Sequence, residues 1–578
     1  MKLNKFKTIA PAAALLLSAS LSSCMADLDK GNIDPNVETN PSTLGLYSKC
    51  YAGLIMEGND GNADFTIDDN GKSTLLRNIF NFNELPTDEA ICWWSDGGLV
   101  DISYNKYNAA TPTLKYLYYR LMSNISFENN FLNLDAAKEE DKTRYAEVRV
   151  IRAYNYLLML DFFGDPAFVE KSSSESPYQA HTYNSKFDAN KTYTRAELLQ
   201  LGREFLFNWV EKELLAAEPD LLEAKPEKDN DPDYGRVDKG TCWLLLSRLY
   251  LNAGTYLNND GQDNPYWDKA LKYAENVINS QYALFDDSKI SEAAKANGYK
   301  PYDLLFMGDN GSNGASCEAL LPLMQDGTMT QGYGGSLFYV AALWNDAMKS
   351  VTGKDAGTTE NAWSGMRVRP SFLKVFFNNP SVVVKKEAKD IRAMNIDDRA
   401  IFWGKGNDKN DRTLELGENK SFFSGIVTPK WNNNYAEGGT PHDSKFVDTD
   451  FFLFRVAEAY LNAAEAEMHL NGEGSDKAKG YIDKLRNRAH AEVHSSYTLN
   501  DVLDERAREL YCEGLRRTDL IRFNQYGGNN ATYKWELKGG SENGSNFDKT
   551  KNVYPLPSSE ILANKNLTQI DGYGDTEN

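Results

Sequence analysis

The sequence predicts a mainly helical, all-α protein. Apolar residues recur at three- and four-residue spacing in a series of separate stretches. Those stretches come as neighbours joined by short polar loops, and small Ala residues stand where two helices must approach closely. Between residues 285 and 452 the helical period fades into Gly, Asn, Asp and Ser. The predicted architecture is therefore a superhelical scaffold of interrupted tetratricopeptide-like hairpins, mainly 111–284 and 453–523, carrying a loop-rich ligand-binding lobe over 285–452.

The elements follow in order. Lys2, Lys5 and Lys7 precede a nearly uncharged stretch from Ile9 to Leu21, the layout of an export signal over residues 1–23. The stretch is shorter than the roughly 20 apolar residues of a comfortable membrane span. It ends in Leu-Ser-Ser-Cys, which resembles a bacterial lipobox and predicts a lipid on Cys24. Residues 24–42 are polar and turn-rich and read as a flexible tether, with 43–578 as one domain. "TPTLKYLYYRLMSNISFENNFLNLDAA" (111–137) and "EDKTRYAEVRVIRAYNYLLMLDFFGDP" (140–166) form a hairpin, closed by Gly164-Asp165-Pro166. The period returns at 194–222, 238–254 and 266–284, then at 453–472, 476–490 and 498–523. In "WDKALKYAENVI" and "AEAYLNAAEAEMHLNG" the Ala positions predict close helix contacts.

Composition excludes several functions. A formal net charge of −20 over 578 residues argues against sequence-independent binding of nucleic acid or anionic lipid. Beyond the signal no long apolar run occurs. Cys50, Cys92, Cys242, Cys317 and Cys512 are far apart, odd in number and without metal spacing, so they read mostly as buried free thiols, with a disulfide pair among them left open. There is no G-x-S-x-G elbow, no HExxH and no phosphate loop. A glycosidase needs two carboxylates across a cleft, but with 83 Asp and Glu such pairs carry no information.

The order of motifs is more telling. "FNELPTDEA", "AEVRVIRAYNYLLMLDFFGDPAF", "GRVDKGTCWLLLSRLYLNAG", "WDKALKYAENVI", "DDRAIF", "TPKW", "FRVAEAYLNAAEAE", "ERARELYCEGLRRTDLIRF" and "YPLPSSEILANKNLTQIDGY" follow one another along the chain. Together with the lipobox, this series resembles the SusD/RagB family across essentially the whole mature chain. "FNFNELPTDE", "LPLMQDG" and "YGGS" bring it especially near the starch-binding member. The resemblance implies a non-catalytic lipoprotein at the outer face of a Gram-negative outer membrane. Its ligand would be starch or a related α-glucan, delivered to a SusC-like TonB-dependent transporter beside other surface glycan-binding lipoproteins and glycosidases. The alternatives are another glycan, a peptide-binding lid, or a glycosidase.

Most motif residues read as scaffold. Glu147 and Arg152 lie among apolar neighbours and are expected to pair or cap. Glu505, Arg506, Glu509, Glu513, Arg516, Arg517 and Asp519 recur at ion-pair spacing. The candidate ligand residues are loop aromatics, because flat rings suit sugar faces and polar groups take the hydroxyls. They are Trp93, Trp94 and Asp96 in "CWWSDGG", Tyr333 in "QGYGGS", and Trp363 with Arg367 in "ENAWSGMR". The resemblance implies an arc of two Trp and one Tyr, of which Tyr333 and Trp363 supply two. An ungapped reading puts the third at Cys92, with Trp93 next door, and its polar partner at Gly97. No cofactor is required, but the resemblance also points to calcium at Asp309, Gln325, Asp448 and Asp450, with Asp326 nearby.

Overall fold

The computed structural model of the chain describes residues 42–58, 62–171, 175–344, 355–360, 363–384, 397–404, 412–416 and 424–574. The signal segment, Cys24 and the tether to residue 41 lie outside the described residues.

The expected helices form. They are α1 (Thr43–Ile55), α2 (Leu75–Asn83), α3 (Leu114–Leu132), α4 (Lys142–Phe163), α5 (Arg195–Ala217), α6 (Lys239–Leu251) and α7 (Trp267–Ile278), then α8 (Ser336–Leu343) in the lobe, and α9 (Val456–Asn471), α10 (Asp476–Arg488), α11 (Leu499–Leu510) and α12 (Arg516–Arg522). Local chemistry sets their ends. The Asp141 carboxylate accepts the Arg144 N–H at 3.0 Å to start α4, and Gly164 at φ 71° stops it. Reciprocal capping boxes open α5 (Thr194 and Glu197) and α11 (Thr498 and Asp501). Helix α3 packs on α4, α4 on α5, α6 on α7, and α9 on α10. The interrupted halves rejoin where α7 meets α9. Ala270, Ala274, Ala459, Ala463 and Ala466 are fully buried, and Trp267 stacks on His469 with centroids 3.9 Å apart.

The motif charges are buried and act between elements. Glu147 takes Arg236, and Arg152 takes Glu213 at 3.0 Å, so the two expected partners pair elsewhere and not with each other. Glu509 faces Arg399, Arg455 and Arg488, while Glu505 faces Arg399, Arg486 and Arg508. Glu513 binds Lys430 and Arg455, and Arg506 binds Asp519 at 2.8 Å.

The first motif docks on the last. The Glu84 carboxylate accepts the N–H groups of Gly514 and Leu515, Glu89 accepts that of Cys512 at 2.9 Å, and Asp88 pairs with Arg516 at 2.7 Å. Burial pushes Glu84 and Glu89 above the usual carboxylate range, and the neighbouring Glu84 raises Glu89 as well. Gly514 sits at φ 84°, and a Cβ there would come within 2.3 Å of Ile79 Cγ2. Only glycine fits that turn.

Two short antiparallel pairs stitch the lobe to the scaffold. β2 (Ala319–Leu323) pairs with β4 (Phe451–Arg455), which runs straight into α9. β1 (Ala90–Cys92) pairs with β3 (Met366–Val368), with Cys92 opposite Met366. One hydrophobic core runs through scaffold and lobe, from Leu54 to Tyr573. All five cysteines among the described residues are free thiols, and Cys317 is the half-buried one. Among the described residues no helix is long and apolar enough to cross a membrane.

Candidate functional site

The β1–β3 pair sends Trp93 and Trp94 to opposite faces. Side chains alternate across a strand, so residues 92 and 94 share one face and 93 takes the other. Trp93 is only 7% exposed and packs in a small cluster with Ile91 and Leu416, which removes it from the expected ligand surface. Its backbone N–H extends the ladder to the Gly365 carbonyl at 2.9 Å. Trp94, half-buried, lies over Gly365 so closely that a Cβ there would meet its Nε1 at 1.9 Å. The Trp94 indole donates to the Trp363 carbonyl at 3.2 Å, and the two rings meet edge-on with centroids 6.3 Å apart. Cys92 is buried on the core face. Trp94 stands two residues beyond Cys92, the position to which an ungapped reading assigns the third arm.

Trp363 and Tyr333 complete the surface. Their centroids lie 6.2 Å apart with planes 24° from parallel. Tyr333 is 37% exposed, and its loop is held from below: its N–H donates to the buried Glu57 carboxylate at 2.5 Å, and Thr74 donates to the Gly334 carbonyl at 2.7 Å. Burial pushes the Glu57 carboxyl above its usual range. Phe446 packs edge-on against the Tyr333 ring at 5.6 Å.

Polar groups rim these rings. Trp363 Nε1 donates to Glu360 at 2.8 Å. Lys445 bonds the Tyr333 hydroxyl and stands 3.7 Å from Glu360. Asp96, half-buried, pairs with Lys72 at 2.8 Å. The Arg77 guanidinium lies 5.5 Å from the Trp94 ring centroid. Sequence reasoning missed Lys445, Lys72 and Arg77, because only the fold brings "HDSKF" and "DDNGKSTLLR" to the aromatic loops, and it passed over Glu360, which stands in "ENAWSGMR" itself. Arg367 does not join them. It is 1% exposed on β3, donating to the backbone carbonyls of Ser424 (2.8 Å) and Met366 (2.7 Å). Burial, and after it the charge of Arg412, lowers the pKa of its guanidinium. Its expected role at the ligand gives way to holding the strand and its neighbouring loop together.

The residues expected to hold calcium are engaged in hydrogen bonds within the protein. Asp309 accepts from the Ala436 N–H and the Asn313 amide, at 2.9 and 3.0 Å. Both Asp450 oxygens are taken, by the Tyr234 hydroxyl at 2.6 Å and the Gln325 N–H at 2.7 Å, and burial pushes its carboxyl up to about 7. Asp448 offers a carboxylate oxygen within 4.8 Å of ligand atoms of Asp326 and His442, and it accepts from the Tyr435 hydroxyl and the His442 and Gly327 N–H groups. The side chain of Gln325 donates to the carbonyl next to it in the chain. These side chains act as clips that tie the loops at 309–327 to those at 433–450.

The sequence pattern of the SusD family matches residues 308–573. Over 608 aligned positions the chain is 32% identical to Starch-binding protein SusD of Bacteroides thetaiotaomicron, covering 99% of this chain and all of that protein. The chain belongs to the SusD family. Among solved structures, a SusD superfamily protein from Parabacteroides distasonis aligns with a TM-score of 0.60 at 18% identity, over 93% of this chain and 100% of that one. Surface glycan-binding protein A from Bacteroides uniformis aligns with a TM-score of 0.60 at 18% identity, over 91% of this chain and 98% of that one. Those two likenesses concern the fold. The mainly helical SusD-family architecture agrees with the expectation drawn from the helical stretches.

Proposed function

We propose that this SusD-family protein is a non-catalytic cell-surface receptor for α-glucan oligosaccharides. The observation that carries the reading is the Trp94–Trp363–Tyr333 surface: three rings in contact on two loops and a strand end, rimmed by Lys445, Glu360, Lys72, Asp96 and Arg77. Rings offer flat apolar area to the C–H faces of sugars, and the rim offers donors and acceptors to the hydroxyls. Its near relative is named for binding starch, which supports α-glucan as the ligand. Another glycan is the second reading, favoured by Gly97, which has no side chain where the family resemblance expects a polar partner. Rings favour sugar over peptide, which calls for pairing edges or charged pockets. Binding without hydrolysis is supported by the rim itself, where Glu360 and Asp96 each face a lysine.

In this reading Cys24 carries the lipid that holds the protein on the outer membrane, and a SusC-like TonB-dependent transporter receives the sugar. Titration calorimetry with maltoheptaose tests the receptor. Wild type binds, Trp363→Ala weakens binding about tenfold or more, and Tyr333→Ala with Trp363→Ala leaves almost none. The ligand stays intact on chromatography. Unchanged affinity in the double variant removes the platform, and released glucose or maltose restores a glycosidase. Cys24→Ala releases the protein from the membrane fraction, and the wild type co-purifies with its barrel in mild detergent.

A further inference from the structure

A groove of about 390 Å³ opens between α1 and the segment that leads from β2 toward Tyr333. Its lining includes Tyr47, Tyr51 and Met56 on one side, Leu323 and Met324 on the other, and Arg144 at the start of α4. The volume falls in the range of small-molecule sites, about 300–1,000 Å³. Met324 is 51% exposed. Methionines on a lining accept ligands of varied outline.

The polar inventory says what the groove does not take. The hydroxyls of Tyr47 and Tyr51 are both spent on Glu147, that of Tyr234 on Asp450, and that of Thr330 on the Asp326 carbonyl. Ser48 is the remaining hydroxyl on the lining. A sugar entering here would lose water from its hydroxyls with few groups to replace it, which is costly. The apolar walls instead suit a hydrocarbon or aryl body.

Charge places the head of the ligand. Five charged groups stand at this end of the groove: Arg144, Arg236, Asp141, Glu147 and Asp233. Arg236 is already held by Glu147 and by Asp233. Arg144 is different. Its guanidinium stacks 5.2 Å from the Tyr47 ring centroid, and the side chain is 42% exposed. Its contact with an acid is Asp141, 3.4 Å from Nε, and that buried Nε makes no hydrogen bond among the described residues. A planar guanidinium beside an apolar wall, with its outer edge uncommitted, is suited to a carboxylate accepted through two parallel hydrogen bonds.

We infer that this groove binds a small amphipathic monocarboxylate, its apolar body against Met56, Leu323 and Met324 and its carboxylate on Arg144. The inference stands apart from the sugar-binding reading, because it uses none of the platform rings. Calorimetric titration of the full mature chain with octanoate, octanol and octylamine tests it. Wild type binds octanoate more tightly than octanol and does not bind octylamine. Arg144→Gln weakens octanoate about tenfold or more, Arg144→Lys weakens it less, and Met324→Glu abolishes it by setting a like charge in the groove. Trp363→Ala leaves octanoate binding unchanged, and Arg144→Gln leaves maltoheptaose binding unchanged. Circular dichroism confirms that each variant folds. No octanoate binding by wild type, equal affinity for octanol and octanoate, unchanged affinity in Arg144→Gln, or competition between octanoate and maltoheptaose for one site overturns it.

Discussion

The joint around α11 and α12 and the aromatic surface around Trp363 are built from the same kinds of residue under opposite conditions. At the joint, Glu505, Glu509, Arg455 and Arg488 are at most 4% exposed, and every charge faces an opposite charge from another element. At the surface, Tyr333 and Lys445 are over a third exposed; Lys445 bonds the Tyr333 hydroxyl and stands 3.7 Å from Glu360, and the Tyr333 ring meets Trp363 and Phe446. The joint is over-determined: removing one ion strands several others in low dielectric. The surface is under-committed, with ring area left free for something else. The comparison teaches that a motif strongly marked in the sequence can belong wholly to the frame, while the chemistry sits on residues with weak local marks.

Four outcomes would break or sharpen that contrast. The largest effect is expected at Glu509. Glu509→Ala leaves Arg399, Arg455 and Arg488 partly uncompensated, so it should cost about 3–5 kcal/mol of stability in urea denaturation. The folded fraction should retain its maltoheptaose affinity. A stable Glu509→Ala protein would dissolve the distinction between frame and surface.

Acid tests the same joint without mutation. Burial pushes Glu505 and Glu509 up, but the guanidiniums around them outweigh it and hold both at about 2. Their unfolded value is about 4.3. Folded values below unfolded ones mean stability that is complete above the unfolded value and lost as pH falls toward the folded one. Urea midpoints should therefore decline from about pH 4.5 downward to about pH 2. A flat profile over that window would remove these pairs from the account.

The neighbouring tryptophans separate the two regimes at one residue's distance. Trp93→Ala opens a hole in the Ile91–Leu416 cluster and should cost about 3 kcal/mol of stability with little change in sugar affinity. Trp94→Ala should do the reverse, weakening maltoheptaose about tenfold while moving the melting temperature less. Equal behaviour of the two variants would show that the pleat does not sort them. The smallest effect is expected at Lys445. Lys445→Met removes a solvent-screened group from the rim and should weaken sugar binding less than about fivefold, read by the same titration.

Much of the frame was legible in the sequence, because helices announce themselves locally. The three- and four-residue period and the stop at Gly164 lie within a turn or two of the residues they govern. The order of motifs marked the family for the same reason, since each motif is a continuous stretch. Tyr333 and Trp363 were also visible, as rings set among Gly, Ser and Asn.

Only the tertiary structure decided the rest. Two adjacent tryptophans in "CWWSDGG" look alike in sequence, and the chain running on from the β1–β3 pair seats Trp93 in the Ile91–Leu416 cluster and sets Trp94 against Trp363. Arg367, four residues after Trp363, is buried on β3 of that pair and donates to three backbone carbonyls, those of Ser424, Ser364 and Met366. Glu84, Asp88 and Glu89 meet their partners more than 420 positions away, at Cys512–Arg516. Asp309, Asp448 and Asp450 look like one acidic set, and the fold gives each its own hydrogen bonds, from the Ala436 N–H, the Tyr435 hydroxyl and the Tyr234 hydroxyl. Sequence fixes what a residue can do within its own helix or turn, by covalent geometry and spacing. Whether a ring or a charge is exposed, and which partner neutralises it, depends on contacts that exist only after distant segments have packed.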